Sequence, residues 1–295
     1  MTMPLFGTFC VIGPGLIGSS VLRRLRAHPG LVDRLVVADR DPAVLERIRD
    51  LDLGDIVTED MQKAVEDADC VMLCVPVGAI APVAAAILPH MKPGAILTDV
   101  GSTRRSVVEA LTPHLRDDIA YVPAHPMAGT EHSGPDAGFA TLFEDRWCLL
   151  TPSGDAPQAS IDRIANFWRA MGARIRIMDP DHHDTICAMV SHLPHLIAFT
   201  ICGTADTLAE DMRAEVLDFA ASGFRDFTRI AASDPTMWRD IFLNNSDALL
   251  SVLDRFSQDA AAMAEAIRKG DEKTIVETIS RGRRIRRSLI ENRQA

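Results

Sequence analysis

The densest group of reactive side chains lies in the stretch YVPAHPMAGTEHSGP, which runs from Tyr121 to Pro135. It contains His125, Glu131 and His132, together with two glycines and three prolines. Such a group could bind a metal ion, activate a nucleophile, or move protons in a redox reaction. Histidine suits the last of these, because its pKa near neutrality lets it accept the proton of an alcohol as a hydride leaves.

Metal and hydrolase chemistry are disfavoured by what the sequence lacks. His192 and His195 lie three residues apart in HLPH, a spacing that would suit a metal ion or an anionic substrate. However, the sequence has no HExxH motif and no cysteine or carboxylate cluster with a recognisable ligand spacing. It also lacks the GxSxG motif of serine hydrolases. We therefore predict no metal site and favour acid–base chemistry in a redox reaction.

A hydride acceptor is suggested by the loop VIGPGLIGSS, which has the GxGxxG spacing of dinucleotide sites. The loop follows an apolar strand and opens a helix, which is the context that this motif requires. We predict a tight turn at Gly13, close approach of the backbone to a pyrophosphate at Gly15, and close helix–strand packing at Gly18. Leu16 and Ile17, in the first turn, would offer backbone N–H groups and the positive end of the helix dipole to the phosphates.

The choice of cofactor depends on Asp39, which ends the second predicted strand about 20 residues after the last glycine. A carboxylate at this position accepts hydrogen bonds from both ribose hydroxyls and repels a 2′-phosphate, which favours NAD over NADP. The adjacent Arg40 could hold that phosphate, so NADP stays possible.

Further cofactor contacts are expected at the carboxyl ends of the later strands, because ligands of open α/β sheets bind there. Val75 and Pro76 fall at one such end, and the segments DVGS (99–102) and PAHPMAG (123–129) fall at two others. The reactive stretch is therefore predicted to lie beside the nicotinamide.

The elements that must position these residues follow an alternating pattern up to about residue 178. The predicted strands are 6–13, 34–39, 70–76, 95–100, 119–124, 147–152 and 173–178, with helical patterns between them. This alternation is typical of a mainly parallel sheet that is covered on both faces. From residue 179 on the patterns are helical, and the mostly apolar segment 184–210 predicts a helix buried against a second subunit. We therefore predict an α/β fold: a Rossmann-type domain (1–178) followed by an all-helical dimerisation domain (179–295).

Composition narrows the partners and the compartment. The 295 residues carry a formal net charge of −10, which disfavours nucleic acid, and the basic run RGRRIRR (281–287) fits a solvated helix face. The six cysteines are scattered and form no CxxC pair, as expected in a reducing compartment. No signal-peptide pattern is present, and no apolar run approaches the roughly 18 residues that span a bilayer. We predict a cytoplasmic protein that binds neither nucleic acid nor a membrane.

Several longer motifs together resemble the prephenate/arogenate dehydrogenases of tyrosine biosynthesis. They are DVGSTR, HPMAGTEHSGP, RWCLLTP, HDTICAMVSHLPH and SGFRDFTRIAASDPTMW. The resemblance runs from the glycine loop to about Asn245, and the order and spacing of the motifs make it specific. It implies a nucleotide-binding domain followed by a helical dimerisation domain. It also implies NAD-dependent oxidative decarboxylation of a cyclohexadienol, prephenate or arogenate, in which CO2 leaves as the ring becomes aromatic.

The same resemblance assigns roles to four residues. His125 corresponds to the catalytic group that accepts a hydrogen bond from the ring hydroxyl. Ser102 corresponds to the residue that orients the hydroxyl, the histidine and the nicotinamide, and it could also cap a helix. Arg229 resembles the arginine that grips a substrate carboxylate, and a planar guanidinium can do so through two hydrogen bonds. His195 resembles the residue that contacts the substrate side chain, whereas His192 fits a ligand and a buried core histidine equally well.

Three further positions belong to the expected substrate site. Glu131 resembles a gate or side-chain sensor. Trp238 resembles a residue that reaches in from the neighbouring subunit, with core packing as the alternative. Ser222 stands where many family members have glycine, at a position that contacts the substrate through its backbone.

Two other functions remain as alternatives. A β-hydroxyacid dehydrogenase also joins a Rossmann domain to a helical domain, but it uses a catalytic lysine, and residues 180–268 contain no lysine. A non-catalytic nucleotide sensor would have no need of Ser102, His125, His195 and Arg229 together.

Overall fold

The computed structural model describes residues 4–152, 154–207 and 221–291. The chain forms two compact units, which meet in the sequence between Ser246 and Asp247. By packing, the helices up to residue 244 belong to the same unit as the sheets. The boundary predicted at residues 178–179 separates the α/β part of the sequence from the helical part, whereas the two units are defined by packing. This boundary stays a prediction.

The main sheet of the first unit is parallel throughout. Its strands are β1 (Phe6–Ile12), β2 (Val32–Ala38), β3 (Ile56–Thr58), β4 (Cys70–Leu73), β5 (Ile96–Asp99) and β6 (Ala120–Tyr121). Their order is β3-β2-β1-β4-β5-β6, so the strand order reverses between β1 and β4. Ligands of open α/β sheets bind at such a switch point. The Rossmann-type fold is therefore confirmed.

Helices cover both faces of this sheet, as the apolar strands require. They are α1 (Leu16–Ala27), α2 (Pro42–Asp50), α3 (Met61–Val65), α4 (Val77–Ile87), α5 (Arg105–Leu111) and α6 (Gln158–Ala170). One core lies under α1, α2 and α6, where Phe9 stacks on Phe167 at a centroid distance of 4.8 Å. The other core lies under α3, α4 and α5.

A second, smaller sheet carries His125. It consists of β7 (Ala124–Pro126), β8 (Trp147–Leu150) and β9 (Arg174–Ile177), with β7 antiparallel to β8 and β8 parallel to β9. The single strand predicted at 119–124 is thus divided between two sheets. Pro123 stands at the division, because proline has no N–H to continue a ladder. The prediction also missed β3, which has only three residues.

Helices follow the sheets in the first unit. They are α7 (Pro180–Cys187), a π-helical turn (Ala188–His192), α8 (Leu193–Asp206), α9 (Ser222–Thr228) and α10 (Pro235–Asn244). The π-turn precedes Pro194, whose ring cannot donate to the carbonyl four residues earlier and would clash with it. The insertion lets α7 and α8 continue as one helix.

This continuous helix, Pro180–Asp206, is long enough to cross a membrane by length and composition, with a mean hydropathy of 1.6 in its most apolar window. The prediction that no segment has this length is therefore wrong. Ser191, His192 and His195 interrupt the apolar run in the sequence. The mean hydropathy of the helix nevertheless stays as high as that of a membrane-spanning segment.

The second unit contains α11 (Ser246–Lys269) and α12 (Glu272–Glu291), joined by a turn in which Gly270 has a φ of 63°. Glycine adopts this backbone conformation without a steric penalty. The basic run 281–287 lies on α12 and is exposed throughout, as expected of a solvated helix face.

Candidate active site

The three glycines of the loop each satisfy the requirement predicted for them. Gly13 has a φ of 80°, and a Cβ there would lie 2.7 Å from Val75 Cγ1. A Cβ on Gly18 would lie 3.1 Å from Val11 Cγ1, so the helix packs closely on the strand. A Cβ on Gly15 would meet no protein atom within 4 Å, which leaves open space beside the backbone. These features fit a bound pyrophosphate.

The start of α1 is suited to phosphate. Gly15 occupies the N-cap position and no side chain caps the helix, so the N–H groups of the turn that contains Leu16 and Ile17 face outward without an acidic neighbour. The Gly13 N–H donates to the Ala38 carbonyl at 3.0 Å, which holds the loop against the end of β2.

This hydrogen bond to Ala38 also places the next residue, Asp39, the expected ribose contact, beside the glycine loop. Asp39, the residue after β2, is partly buried, and burial raises its pKa although a hydrogen bond from the Asp41 N–H acts in the opposite direction. Arg40 is exposed. Val75 packs against Gly13, and the exposed Pro76 precedes α4. The predicted cofactor residues are thus gathered at the carboxyl ends of β1, β2 and β4.

A buried ion pair holds the loop that carries Ser102. Asp99 Oδ1 lies 2.7 Å from Arg104 Nη2, both side chains are fully buried, and the Tyr121 hydroxyl donates to Asp99 Oδ2 at 2.7 Å. The pair is shielded from water, so removing one partner would leave an uncompensated buried charge. Ser102, which lies between Asp99 and Arg104 in the sequence, is partly buried.

Ser102 does not cap the following helix. The N-cap position of α5 is Arg104, and no side chain of the helix itself caps it. The carboxylate of Asp184, from α7, accepts the N–H groups of Arg104 at 2.8 Å and Arg105 at 2.9 Å. The alternative interpretation of Ser102 as a cap is therefore wrong, because a distant carboxylate already satisfies these donors.

His125 lies in β7 and is nearly buried. Its Nδ1 atom is 2.8 Å from Nε2 of His183, and Nδ1 of His183 is 2.8 Å from Oδ1 of Asp184. Burial, with a contribution from His183, lowers the pKa of His125 well below its usual value. His125 is therefore a neutral imidazole at physiological pH, which is the form that can accept a proton.

The sequence interpretation assigned no role to His183 or Asp184. Asp179 caps α7 by accepting two backbone N–H groups, and Pro180 occupies its first turn, so the helix begins at a defined residue. The helix then directs His183 and Cys187, one turn apart, toward His125. The i,i+4 spacing was a detectable signal, but nothing in the sequence links this helix to a strand 58 residues earlier.

The same three residues raise the metal question again. The ligand atoms of His125, His183 and Cys187 all lie within 4.8 Å of one another. However, the two histidine nitrogens are 2.8 Å apart. That is a hydrogen-bond length, whereas two nitrogens at ~2.0–2.1 Å from one tetrahedral zinc would be about 3.3 Å apart. Burial also raises the pKa of Cys187 to about 12, so it is a neutral thiol. The geometry favours a hydrogen-bonded group, and the absence of a metal stays a prediction.

The predicted carboxylate anchor lies in a second group of residues. Arg229 Nη1 is 3.5 Å from Glu131 Oε2, and the arginine side chain is 62% exposed. Burial lowers the pKa of His195, and Arg229 also contributes to that shift, so the cation is close to this imidazole. The structure thus brings Glu131, Arg229 and His195 together from three parts of the chain.

The ring of His195 is fixed from two sides. Its Nδ1 lies 2.9 Å from the Ser191 carbonyl, and its face stacks on Trp238 with a centroid distance of 3.7 Å. Trp238 is buried in its own chain. Within this chain α10 places the ring beside α8, as the core-packing alternative describes, and a contribution of Trp238 to a neighbouring subunit stays a prediction.

The three remaining predicted or undecided positions differ in burial. Ser222 begins α9 and its side chain is exposed. His192 is buried and its Nδ1 accepts from Asn245 Nδ2 at 3.0 Å, so it is the core histidine of the two interpretations. His132 is exposed in the loop after β7.

Comparison with known proteins agrees with this geometry. The family model described as prephenate dehydrogenase, nucleotide-binding domain, matches residues 22–177, and the model described as prephenate dehydrogenase, dimerization domain, matches residues 179–281. The chain is 43% identical to a cyclohexadienyl dehydrogenase of Zymomonas mobilis over 97% of both proteins.

Solved structures agree over nearly the whole length. Prephenate dehydrogenase from Aquifex aeolicus, in complex with hydroxyphenyl propionate and NAD+, has a TM-score of 0.90, 30% identity and coverage of 98% of this chain and 99% of that chain. Arogenate dehydrogenase from Synechocystis has a TM-score of 0.81 and 25% identity, with 96% and 99% covered. Because both family models and these full-length relatives match, the chain belongs to the prephenate dehydrogenase family.

Proposed function

We propose that this protein is an NAD-dependent oxidoreductase that oxidises and decarboxylates prephenate, arogenate or both, in tyrosine biosynthesis. The observation that carries the proposal is the neutral, nearly buried His125, which is hydrogen-bonded at Nδ1 to His183. A base of this kind is what the ring hydroxyl requires. The family of the chain and the printed names of its relatives support the substrate class.

The reaction transfers a hydride from the hydroxyl-bearing ring carbon to the nicotinamide, which supplies the hydride acceptor when bound. His125 accepts the hydroxyl proton at the same time. The bond to the ring carboxylate then breaks, CO2 leaves, and the released electron pair completes the aromatic ring and passes charge to the oxygen. His125 returns its proton to this phenolate, so the net products are the phenol, CO2 and NADH.

The charge of the substrate explains the second group of residues. Prephenate carries two carboxylates, and the protein as a whole is acidic. Arg229 is the cation of this group, and its guanidinium pairs with Glu131 at the long distance of 3.5 Å. A substrate carboxylate can replace Glu131 there with two shorter hydrogen bonds. We therefore assign carboxylate binding to Arg229, a gating role to Glu131 and contact with the substrate side chain to His195. Trp238 supports the His195 imidazole, and we place Ser222 at the rim of the substrate site.

The cofactor is NAD. The glycine loop and the uncapped start of α1 would hold the pyrophosphate, and Asp39 would accept the ribose hydroxyls. Val75 and Pro76 would line the cofactor site as well. Arg40 could hold a 2′-phosphate, so NADP is a second candidate cofactor.

A homodimer accounts for the apolar helix Pro180–Asp206. Met189 and Val190 are 56% and 58% exposed in the single chain, although the helix is apolar enough to be buried. Pairing with a second copy of the chain would cover such side chains. The helix also lies within the part of the chain that resembles the dimerization domain of prephenate dehydrogenases. We propose a cytoplasmic homodimer rather than a membrane or nucleic-acid partner.

The test is NADH or NADPH formation with prephenate and arogenate, each with NAD and NADP. Turnover of at least one dienol with NAD is expected. Binding of NAD without turnover in any of the four combinations would instead favour a nucleotide sensor. Turnover of a β-hydroxyacid alone would favour the other dehydrogenase class.

A further inference from the structure

A buried pair, His183 and Asp184, lies directly behind His125. His183 is fully buried, and its two ring nitrogens each have one partner at 2.8 Å: His125 on one side and Asp184 on the other. Asp184 also accepts the N–H groups of Arg104 and Arg105. The carboxylate is therefore surrounded by donors.

This arrangement determines which nitrogen of each imidazole carries a proton. Burial would raise the pKa of Asp184, but the hydrogen bonds from His183 and the backbone lower it overall, so the carboxylate is ionised and can only accept. Nδ1 of His183 must then donate to Asp184, and Nε2 of neutral His183 must be an acceptor. It follows that Nδ1 of His125 donates to His183. The lone pair of His125 is thus on Nε2, free for the substrate.

We propose that His183 and Asp184 are positioning residues of the reaction: they hold His125 in the tautomer whose Nε2 lone pair accepts the ring-hydroxyl proton, and they share the positive charge that this proton brings. The inference rests on the proposed function, because it concerns the destination of that proton. It requires no co-reactant and adds no net step.

Charge sharing follows from the surroundings of His125. Burial, and after it the neighbouring His183 and Arg104, disfavours a positive charge on the His125 imidazole. When Nε2 of His125 takes the hydroxyl proton, the Nδ1 proton can shift to Nε2 of His183. The cation then lies next to the Asp184 carboxylate. The same two protons move back when the phenolate oxygen is protonated, so the pair is a temporary proton store.

The other groups near the pair fit this assignment. Asp99 and Arg104 neutralise each other at 2.7 Å, and Cys187 is a neutral thiol 3.4 Å from Nε2 of His183. His192 is itself uncharged, since burial lowers its pKa to about 4. Among the described residues, Asp184 is therefore the carboxylate that is hydrogen-bonded to His183, and through His183 it gives the proton a single favourable destination.

The tautomer can be measured without any turnover. We expect 15N spectra of the full-length protein, labelled at histidine, to give a pyridine-like shift for Nε2 and a pyrrole-like shift for Nδ1 of His125. The signals are assigned with His125→Asn and His183→Gln. A pyrrole-like shift at Nε2 of His125 in the wild type would overturn the proposal. Because substrate is absent, this outcome is independent of whether the protein turns over either dienol.

Two substitutions at His183 separate tautomer control from packing. His183→Leu removes the acceptor, and we expect kcat to fall roughly 100-fold, with KM and the Kd for NAD within about threefold of the wild type. His183→Gln keeps an acceptor within reach of His125 and should recover part of that loss. An unchanged kcat in the leucine variant, or an equal loss in both variants, would contradict the proposal.

His182→Gln is the matched control, because it changes the adjacent, exposed histidine of α7 and removes no hydrogen bond of the His125 or His183 rings. Its kcat should stay within about threefold of the wild type. Asp184→Asn is a harsher test: an amide N–H toward His183 would reverse both tautomers, but the variant also weakens the cap of α5. If Asp184→Asn does not fold, the spectra and the His183 variants still decide the question. A wild type that turns over neither dienol would refute the proposed function and leave the tautomer measurement valid.

Discussion

The rings of His195 and Trp238 lie face to face, with centroids 3.7 Å and planes 22° apart, and both belong to one chain. The stack joins α8 to α10 and sets the direction of the histidine that is expected to contact the substrate side chain. Phe199 and Phe242 pack around the same indole at 6.2 and 5.4 Å. The position of His195 therefore depends on an aromatic cluster rather than on its hydrogen bond to Ser191 alone.

Replacing Trp238 should affect substrate binding through His195. We expect Trp238→Ala to raise KM roughly tenfold and to lower the free energy of unfolding by about 3 kcal/mol, because a large buried ring is removed. Trp238→Phe keeps a ring on the imidazole and should raise KM less than threefold. Steady-state NADH formation and urea unfolding measure the two effects. Trp147→Ala, at an exposed tryptophan, should leave KM unchanged; equal KM values in Trp238→Ala and the wild type would contradict the role of the stack.

The Arg229–Glu131 pair predicts opposite effects from its two partners. Arg229→Ala should raise KM for the dienol at least tenfold, since a charged hydrogen bond to a carboxylate is lost. Glu131→Gln should leave KM equal or lower, because the glutamate competes with the substrate for the same guanidinium. Arg225→Ala, four residues earlier and also exposed, is the control for surface charge. A KM in Arg229→Ala that matches the control would show that Arg229 is not the anchor.

Local patterns accounted for the cofactor half of the molecule. The glycine loop was predictable because the role of each glycine depends on a short segment of the sequence. Gly13 makes the turn, Gly15 leaves open space beside the backbone, and Gly18 packs against Val11. The apolar strands of the main sheet were predictable for the same reason. Pro123 could have signalled the break between β6 and β7, since proline ends a ladder.

The groups around His125 were not predictable from local patterns. Its partner His183 is 58 residues away, and Asp184 acts as the cap of α5 from another helix. Both relationships arise from the packing of α7 against α5, which the motif HDTICAMVSHLPH does not by itself indicate. The direction of Trp238 likewise depends on where α10 packs, so the sequence left open whether its ring reaches a neighbouring subunit or packs in the core.

Removing the base should affect the chemical step alone. In His125→Asn we expect kcat to fall roughly 1,000-fold while KM and the Kd for NAD change less than threefold, because proton acceptance matters mainly in the transition state. His132→Asn is a matched control in the same stretch, since His132 is exposed and lies outside the buried groups. It should retain wild-type kcat. A comparable loss in both variants would indicate damage to the loop rather than loss of a base.

The buried histidines predict an acid limit for stability. Burial lowers the pKa of His125 and His183, and it lowers that of His192 to about 4, against 6.5 for the free side chain. Between those pH values the unfolded chain binds more protons than the folded one, so the free energy of unfolding falls as the pH falls. Above pH ~7 these groups should give no slope. Below about pH 6.5 each should contribute up to ~1.4 kcal/mol per pH unit.

His192 offers the cleanest measurement of this slope, because it lies outside the proposed proton path and has a defined partner in Asn245. Urea unfolding at fixed protein concentration, from pH 7.5 to 4.5, should give a shallower pH dependence for His192→Gln than for the wild type, by one proton at most. His182→Gln, at an exposed position of α7, should keep the wild-type slope. If His192→Gln also kept it, the buried imidazole would have to be protonated in the folded protein. Its hydrogen bond from Asn245 argues against that, because a protonated Nδ1 could not accept.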